Sequence, residues 1–253
     1  MSDSRSPAVT YASYLKLDEL LSLQQPRSEG PEHDEMLFIV IHQIYELWFK
    51  ELLHEFDRVR GLLEGDEPHR AQHALKRILT ILKVMVGQID VLETMTPLEF
   101  LSFRSRLEAA SGFQSDQFRQ IEFVLGRKSD EALHRFAQGS RARTALERRL
   151  HESTLWDAFV RYLVREGYLV PPDRDLEQTL VDVYRNDPKN AELCERLVDL
   201  DEGIQEWRYR HVKMVERTIG ARSGTGGSAG AAYLRTTTSE PLFSALWKIR
   251  SQL

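Results

Sequence analysis

Two histidines lie in apolar surroundings towards opposite ends of this 253-residue chain. In FIVIHQIYELWFKELLHE, Phe38 to Glu55, the residues Ile41, His42, Tyr45, Trp48, Phe49 and Leu52 recur at three and four and share one side of a helix. Glu46, Lys50, Glu51 and Glu55 fall mostly away from it. In LCERLVDLDEGIQEWRYRHVKMVERTIG the same spacing links Leu193, Leu197, Leu200, Ile204, Trp207, His211, Met214, Val215 and Thr218, which places His211 in the buried stripe of a second long helix. One imidazole on an apolar stripe is most often a satisfied core residue. Two on helices far apart in sequence point to a site between those helices, where one imidazole can bind a metal or haem iron and the other work on the substrate side.

Two more segments carry polar groups in apolar or glycine-rich company. Arg104, in EFLSFRSRL, shares its helical surface with Phe100, Leu101 and Leu107. It reads either as a solvated side chain or as a guanidinium able to grip a carboxylate through two parallel hydrogen bonds. In SGTGGSAGAAYL, Ser223 to Leu234, four glycines crowd together: Gly224, Gly226, Gly227 and Gly230. The segment lacks the lysine of a phosphate-binding loop, and no strand precedes it. It reads as a mobile surface loop, or as a lid whose glycines let backbone approach a ligand and whose Thr225 hydroxyl touches it.

The elements that must position these groups are helical throughout. Residues 1–9 form a polar leader, Tyr11 to Leu23 a short helix, and Arg27 to His33 a loop. Long helices follow at about 34–63 and 68–92, the second with Ala74, Ile78, Leu82, Met85, Ile89 and Leu92 in register. Gly65 and Pro68 separate them as an antiparallel pair. Thr96, Pro97 and Glu99 make a capping box that opens a short helix to Leu107. Ser111 and Gly112 lie in the loop Glu108 to Gln114. Further helices are expected at about 115–125, 130–136, 142–151, 155–166 and 175–184, and Gly220 ends the helix that bears His211. No segment alternates with period two, so the fold class is all-α, a helical bundle.

Composition narrows the functional classes. The chain is 42% hydrophobic and 29% charged, enough for one large domain with a substantial core. Lys and Arg number 34 against 39 Asp and Glu, a net charge of -5, which argues against a nucleic-acid partner. No apolar run approaches a membrane span, and the start MSDSRSP lacks a signal peptide's apolar core. The single cysteine, Cys194, excludes an internal disulfide and fits a reducing compartment, so a cytoplasmic protein is expected.

The blocks YASYLKLDELLSLQQP, HDEMLFIVIHQIYELWFKELLHE, LETMTPLEFLSFRSRLEAASGFQS, IEFVLG, WRYRHVKMVERTIG and GTGGSAG together resemble tryptophan 2,3-dioxygenases, in that family's order. Gly139 to Asn190 resembles it least. The resemblance implies one all-helical domain over 1–253 with haem b, one per subunit, bound between helices. His211 is then the proximal ligand to iron, and His42 the distal histidine that meets the indole N–H of L-tryptophan. Phe38, Ile39, Val40, Ile41 and His42 line the indole pocket with Phe100 as its wall. Arg104 holds the substrate carboxylate, Thr225 contacts the amino-acid end, and Ser111 and Gly112 lie beside the haem. Tyr11, Tyr14 and Leu15, within residues 1–30, are expected to reach a neighbouring subunit of a homotetramer. The implied reaction cleaves the indole C2–C3 bond with O2 to give N-formylkynurenine. Rival readings are a related haem oxygenase acting on another aromatic substrate or inserting one oxygen atom, and a non-catalytic haem-binding sensor.

Overall fold

A computed structural model describes residues 8–30, 32–170, 176–225, 231–236, 238 and 240–253. Helices α1 (Tyr11–Leu15) and α2 (Leu17–Leu21) lead into the long α3 (His33–Glu64) and α4 (Pro68–Leu92). Next come α5 (Pro97–Arg104), 3-10 turns at Ser105–Leu107 and Gly112–Gln114, α6 (Asp116–Val124) and α7 (Asp130–Leu133). Then follow α8 (Arg141–His151), α9 (Leu155–Arg165), α10 (Glu177–Asn186) and the second long helix, α11 (Pro188–Ile219). The chain closes with α12 (Ala231–Thr236), α13 (Ser244–Lys248) and a 3-10 turn at Ile249–Gln252. Among the described residues there is no strand, as the missing period-two alternation predicts.

The core is built on α3, α4 and α11. Helix α4 packs against both of the others, while α9 and α6 cover α3. The register read from α4 is buried at every position, Ala74 through Leu92. Burying stripes of this kind removes apolar surface from water at about 25 cal/mol per Å², which is what holds the bundle. Cys194 is fully enclosed in this core, and burial pushes its thiol up to about 12. It is a packed, unreactive residue.

Helix ends follow local chemistry. The Thr96 box forms as expected: Glu99 accepts from the Thr96 amide at 2.6 Å, and Pro97 takes the first turn. Helix α11 starts earlier than its apolar stripe, at Pro188, where Asp187 accepts from the Asn190 amide at 3.1 Å. Gly220, with φ of 61°, stops it.

Several elements differ from the sequence reading. The helix expected over Tyr11 to Leu23 breaks at Lys16, whose φ of 55° is left-handed; neither half buries a residue, so no packing holds it continuous. The helix to Leu107 tightens to a 3-10 turn after Arg104, and part of the loop before Gln114 is another such turn, capped by the Ser111 hydroxyl. The helix expected to reach Phe136 ends at Leu133, and the one expected over 175–184 runs Glu177–Asn186, its proposed start at Asp175 lying outside the described residues. The glycine-rich segment ends in helix, since Ala231 to Leu234 belong to α12. The C-terminal turns, missed in the sequence, bury Phe243, Leu246 and Ile249, three residues apart.

Buried Asp201 holds that C-terminal piece on α11, accepting from the Phe243 amide and the Trp247 indole, each at 2.9 Å. Ion pairs tie the other end of α11 to its surroundings. Arg210 reaches Asp90 at 2.6 Å, and Arg217 reaches Glu93 at 3.4 Å. No described helix is long and apolar enough to cross a membrane.

Candidate functional site

At one end of the bundle a small apolar cluster stands apart from the main core: Ile41, Leu92, Met95, Phe100 and Phe103, with Leu37, Phe38, Tyr45, Leu107, Met214 and Ile219 packed against it. It is supplied by the first turns of α3, the end of α4 with the residues just after it, α5 with the 3-10 turn that follows, and the last turns of α11. The stripe of α11 is buried through Trp207 and only half-buried from His211 onward, at Met214, Val215 and Thr218. The helix register is unchanged there; the core simply ends.

Phe38 is the centre of the aromatic group. Its ring lies 4.0 Å from that of His42, 5.8 Å from Phe100 and 5.6 Å from Phe103, centroid to centroid. Phe100 and Phe103 meet edge-on at 5.5 Å. Phe103, fully buried, was not singled out from sequence; its spacing of three from Phe100 in EFLSFR was the available signal. Ile39 and Val40 are half-buried and fall outside this cluster, because successive residues of a helix point about 100° apart. Glu35 fixes the entry to this turn. Burial raises its pKa, but bonds from the Arg27 amide and from Ser28, with the charge of Arg106, more than offset that and hold it below the usual range.

The two imidazoles differ in their bonding. Nδ1 of His42 stands 2.7 Å from the carbonyl oxygen of Phe38, which can only accept, so Nδ1 carries the proton. In the neutral ring Nε2 is then a bare acceptor. Burial lowers the pKa of His42, partly opposed by the Phe38 bond and by Glu46, which favours that neutral form. Neither ring nitrogen of His211 has a hydrogen bond among the described residues. Burial, and the charge His42 would carry, push its pKa down to about 4. That electrostatic interaction means the two imidazoles, on α3 and α11, share one region.

Arg104 ends α5 half-buried, its Nη2 donating to the Ser223 carbonyl at 2.5 Å. Thr225 Oγ1 donates to the carbonyl of Ala110, the residue before Ser111. Both contacts fasten the start of the glycine segment to the α5–α6 connection. Gly226, Gly227 and Gly230 lie outside the described residues. Ser111 is half-buried and occupied by its capping role, and Gly112 is exposed. Tyr11 and Tyr14 are 76% and 77% exposed and Leu15 41%, so within one chain they face solvent and do not join the site.

The profile of one family, Tryptophan 2,3-dioxygenase, matches residues 2–153 and 174–253. The chain belongs to the tryptophan 2,3-dioxygenase family. Among relatives of that name, the protein of Herpetosiphon aurantiacus is 58% identical over 98% of this chain and 100% of its own length. Those of Anaeromyxobacter sp. (strain K) and Caulobacter vibrioides are 53% and 44% identical, covering 99% and 97% of this chain and 98% of each relative. The family profile leaves out 154–173, inside the stretch whose sequence resembles the family least.

Proposed function

We propose that this protein is a haem-dependent dioxygenase that opens the indole C2–C3 bond of L-tryptophan with O2, giving N-formylkynurenine. The observation that carries the reading is the pair of inequivalent imidazoles: His42, its Nδ1–H committed and its Nε2 without a partner among the described residues beside an aromatic wall, and His211, held neutral and without a hydrogen bond among the described residues where the buried stripe of α11 opens. The donor set fits haem b. A ligating imidazole must be unprotonated, and burial favours that form of His211.

His211 would hold the iron, with Ser111 and Gly112 alongside. Haem bound there supplies dioxygen activation. The rest falls to the chain's own side chains. Phe38, Ile41, Phe100 and Phe103 receive the indole, with Ile39 and Val40 on the flanks of the same turn. Nε2 of His42 accepts the indole N–H, which fixes the ring's orientation and gives the proton a place to go. Arg104 exchanges the Ser223 carbonyl for the substrate carboxylate, and Thr225 meets the amino-acid end as its loop closes and excludes water. Tyr11, Tyr14 and Leu15, exposed in one chain, complete a neighbouring protomer's pocket in a homotetramer, with residues 1–30 as the reaching segment of an otherwise single domain. The expected setting is the cytoplasm.

The test is direct: reconstitute with haem, reduce, add tryptophan and air, and weigh the product. Addition of two oxygen atoms to tryptophan supports the reading. Addition of one, or no turnover by haem-loaded protein, overturns it.

A further inference from the structure

We infer that Trp207 is a positioning residue for His211: its indole face sets the plane in which the proximal imidazole stands and keys that plane to the helix carrying His42. The inference rests on the reading of His211 as the haem ligand.

Trp207 precedes His211 by one helical turn on α11, and the two rings are nearly parallel, 9° between planes with centroids 5.4 Å apart. The imidazole has little else to orient it. Rotation about the bond to an sp² ring is soft, and ligating histidines are ordinarily fixed by an acceptor at the second ring nitrogen. Among the described residues His211 has no such partner, so the indole face is what the structure offers in its place.

Trp207 itself is held. It is 7% exposed, with Phe118 at 5.0 Å, Phe49 edge-on at 6.1 Å and Tyr45 at 6.3 Å. These rings come from α3 and α6, so Trp207 cannot turn without opening the core. Tyr45 is anchored through its hydroxyl, which donates to the Met85 carbonyl at 2.7 Å, and it sits one turn from His42 on α3. The two imidazoles are thereby referenced to one aromatic block: His42 through the helix it shares with Tyr45, His211 through the ring stacked on it.

The experiment compares Trp207→Leu and Trp207→Phe with Trp156→Leu, which removes a ring stacked on Phe243 in the main core. In ferrous haem-loaded protein, Trp207→Leu should shift and broaden the iron–histidine stretching band in resonance Raman spectra and weaken haem binding about 2- to 10-fold, the worth of one aromatic pair. Trp207→Phe keeps a stacked ring and should stay within about twofold. Trp156→Leu should lower the Tm and leave the band in place. A parallel arm uses haem-free protein with labelled histidine, the His211 ring signals assigned by their loss in His211→Gln. Those signals should lose their ring-current shift in Trp207→Leu and keep part of it in Trp207→Phe. A lowered Tm with unchanged band, haem affinity and His211 signals overturns the inference. Should Trp207→Leu fail to fold, Trp207→Phe decides alone, since its smaller ring must move the His211 signals part-way. Absence of haem from the wild type defeats the functional reading instead, and the haem-free arm still judges the stack.

Discussion

Replacing Arg104 with alanine tests the substrate-binding half of the reading, and the structure bounds the effect. In the present geometry the guanidinium spends one N–H on a neutral acceptor, the Ser223 carbonyl, and stands half-buried at the end of α5. A tryptophan carboxylate would take two charge-assisted bonds, each worth about 1.5 to 3 kcal/mol in mutational measurements. Partial exposure screens the pair, so about 2 to 4 kcal/mol is a fair expectation for both together. That is roughly a 30- to 1000-fold rise in KM. Arg104→Lys keeps the charge but loses the fork, and should fall between, near tenfold in order of magnitude. Steady-state rates of N-formylkynurenine formation across tryptophan concentrations give KM and kcat, and the Soret spectrum reports whether haem is still bound. A KM within twofold of wild type, with haem in place, refutes the clamp.

Other consequences are as specific. His42→Ser should retain measurable turnover with an altered pH profile, because a hydroxyl can still accept the indole N–H; complete loss with haem and tryptophan both bound would show that the imidazole is obligatory. In haem-free protein, His211 has its pKa lowered from 6.5 to about 4, so between those values the unfolded chain binds a proton the folded one refuses. Stability therefore falls as pH drops through that window, by about 1 to 3 kcal/mol from this residue after allowance for its partial exposure, and levels off below it. His42, shifted the same way, adds to the slope. Urea midpoints of wild type and His211→Gln, compared from pH 7 to pH 4, should show the wild type losing more stability on acidification, so that the variant gains on it towards the acid end; parallel curves would contradict the assignment. Asp201→Ala strands the buried Phe243 amide and removes the acceptor of the partly exposed Trp247 indole, and should cost about 2 to 4 kcal/mol by thermal or chemical unfolding, with a cost under about 1 kcal/mol counting against its role in holding the C-terminal piece.

Which parts of this were legible in the sequence depends on the range of the interactions involved. The registers of α3, α4 and α11 are repeated over many turns, so burial at Ala74 through Leu92 and Leu193 through Trp207 could be read directly. His42 was legible for the same reason, and its hydrogen bond is local, to a carbonyl one turn back. The exposure of His211 was not, since periodicity says which face a residue is on and not where the neighbouring helices stop. The break at Lys16 and the turns at Ser105–Leu107 and Gly112–Gln114 escaped because segments of three to five residues carry too few positions to set a period. Trp207 was visible as a stripe residue and Phe103 was not singled out, and the contacts the two make with His211 and Phe38 depend on ring geometry that spacing does not carry.

The contacts of Arg104 also bear on how binding and closure are coupled. One guanidinium faces two claimants: the Ser223 carbonyl at the start of the glycine segment and, in the functional reading, the carboxylate of the substrate. A carboxylate forms bonds roughly twice as strong as a neutral carbonyl does, so the exchange runs towards substrate whenever it is present. Releasing Ser223 frees the chain two residues before Thr225, whose hydroxyl is spent on the Ala110 carbonyl. The start of the segment is thereby fastened by two neutral contacts, which in the functional reading the substrate's charged end replaces. In that reading, binding energy at the amino-acid end goes into releasing Ser223 and Thr225, and a substrate lacking the carboxylate should leave both contacts in place as well as lose affinity.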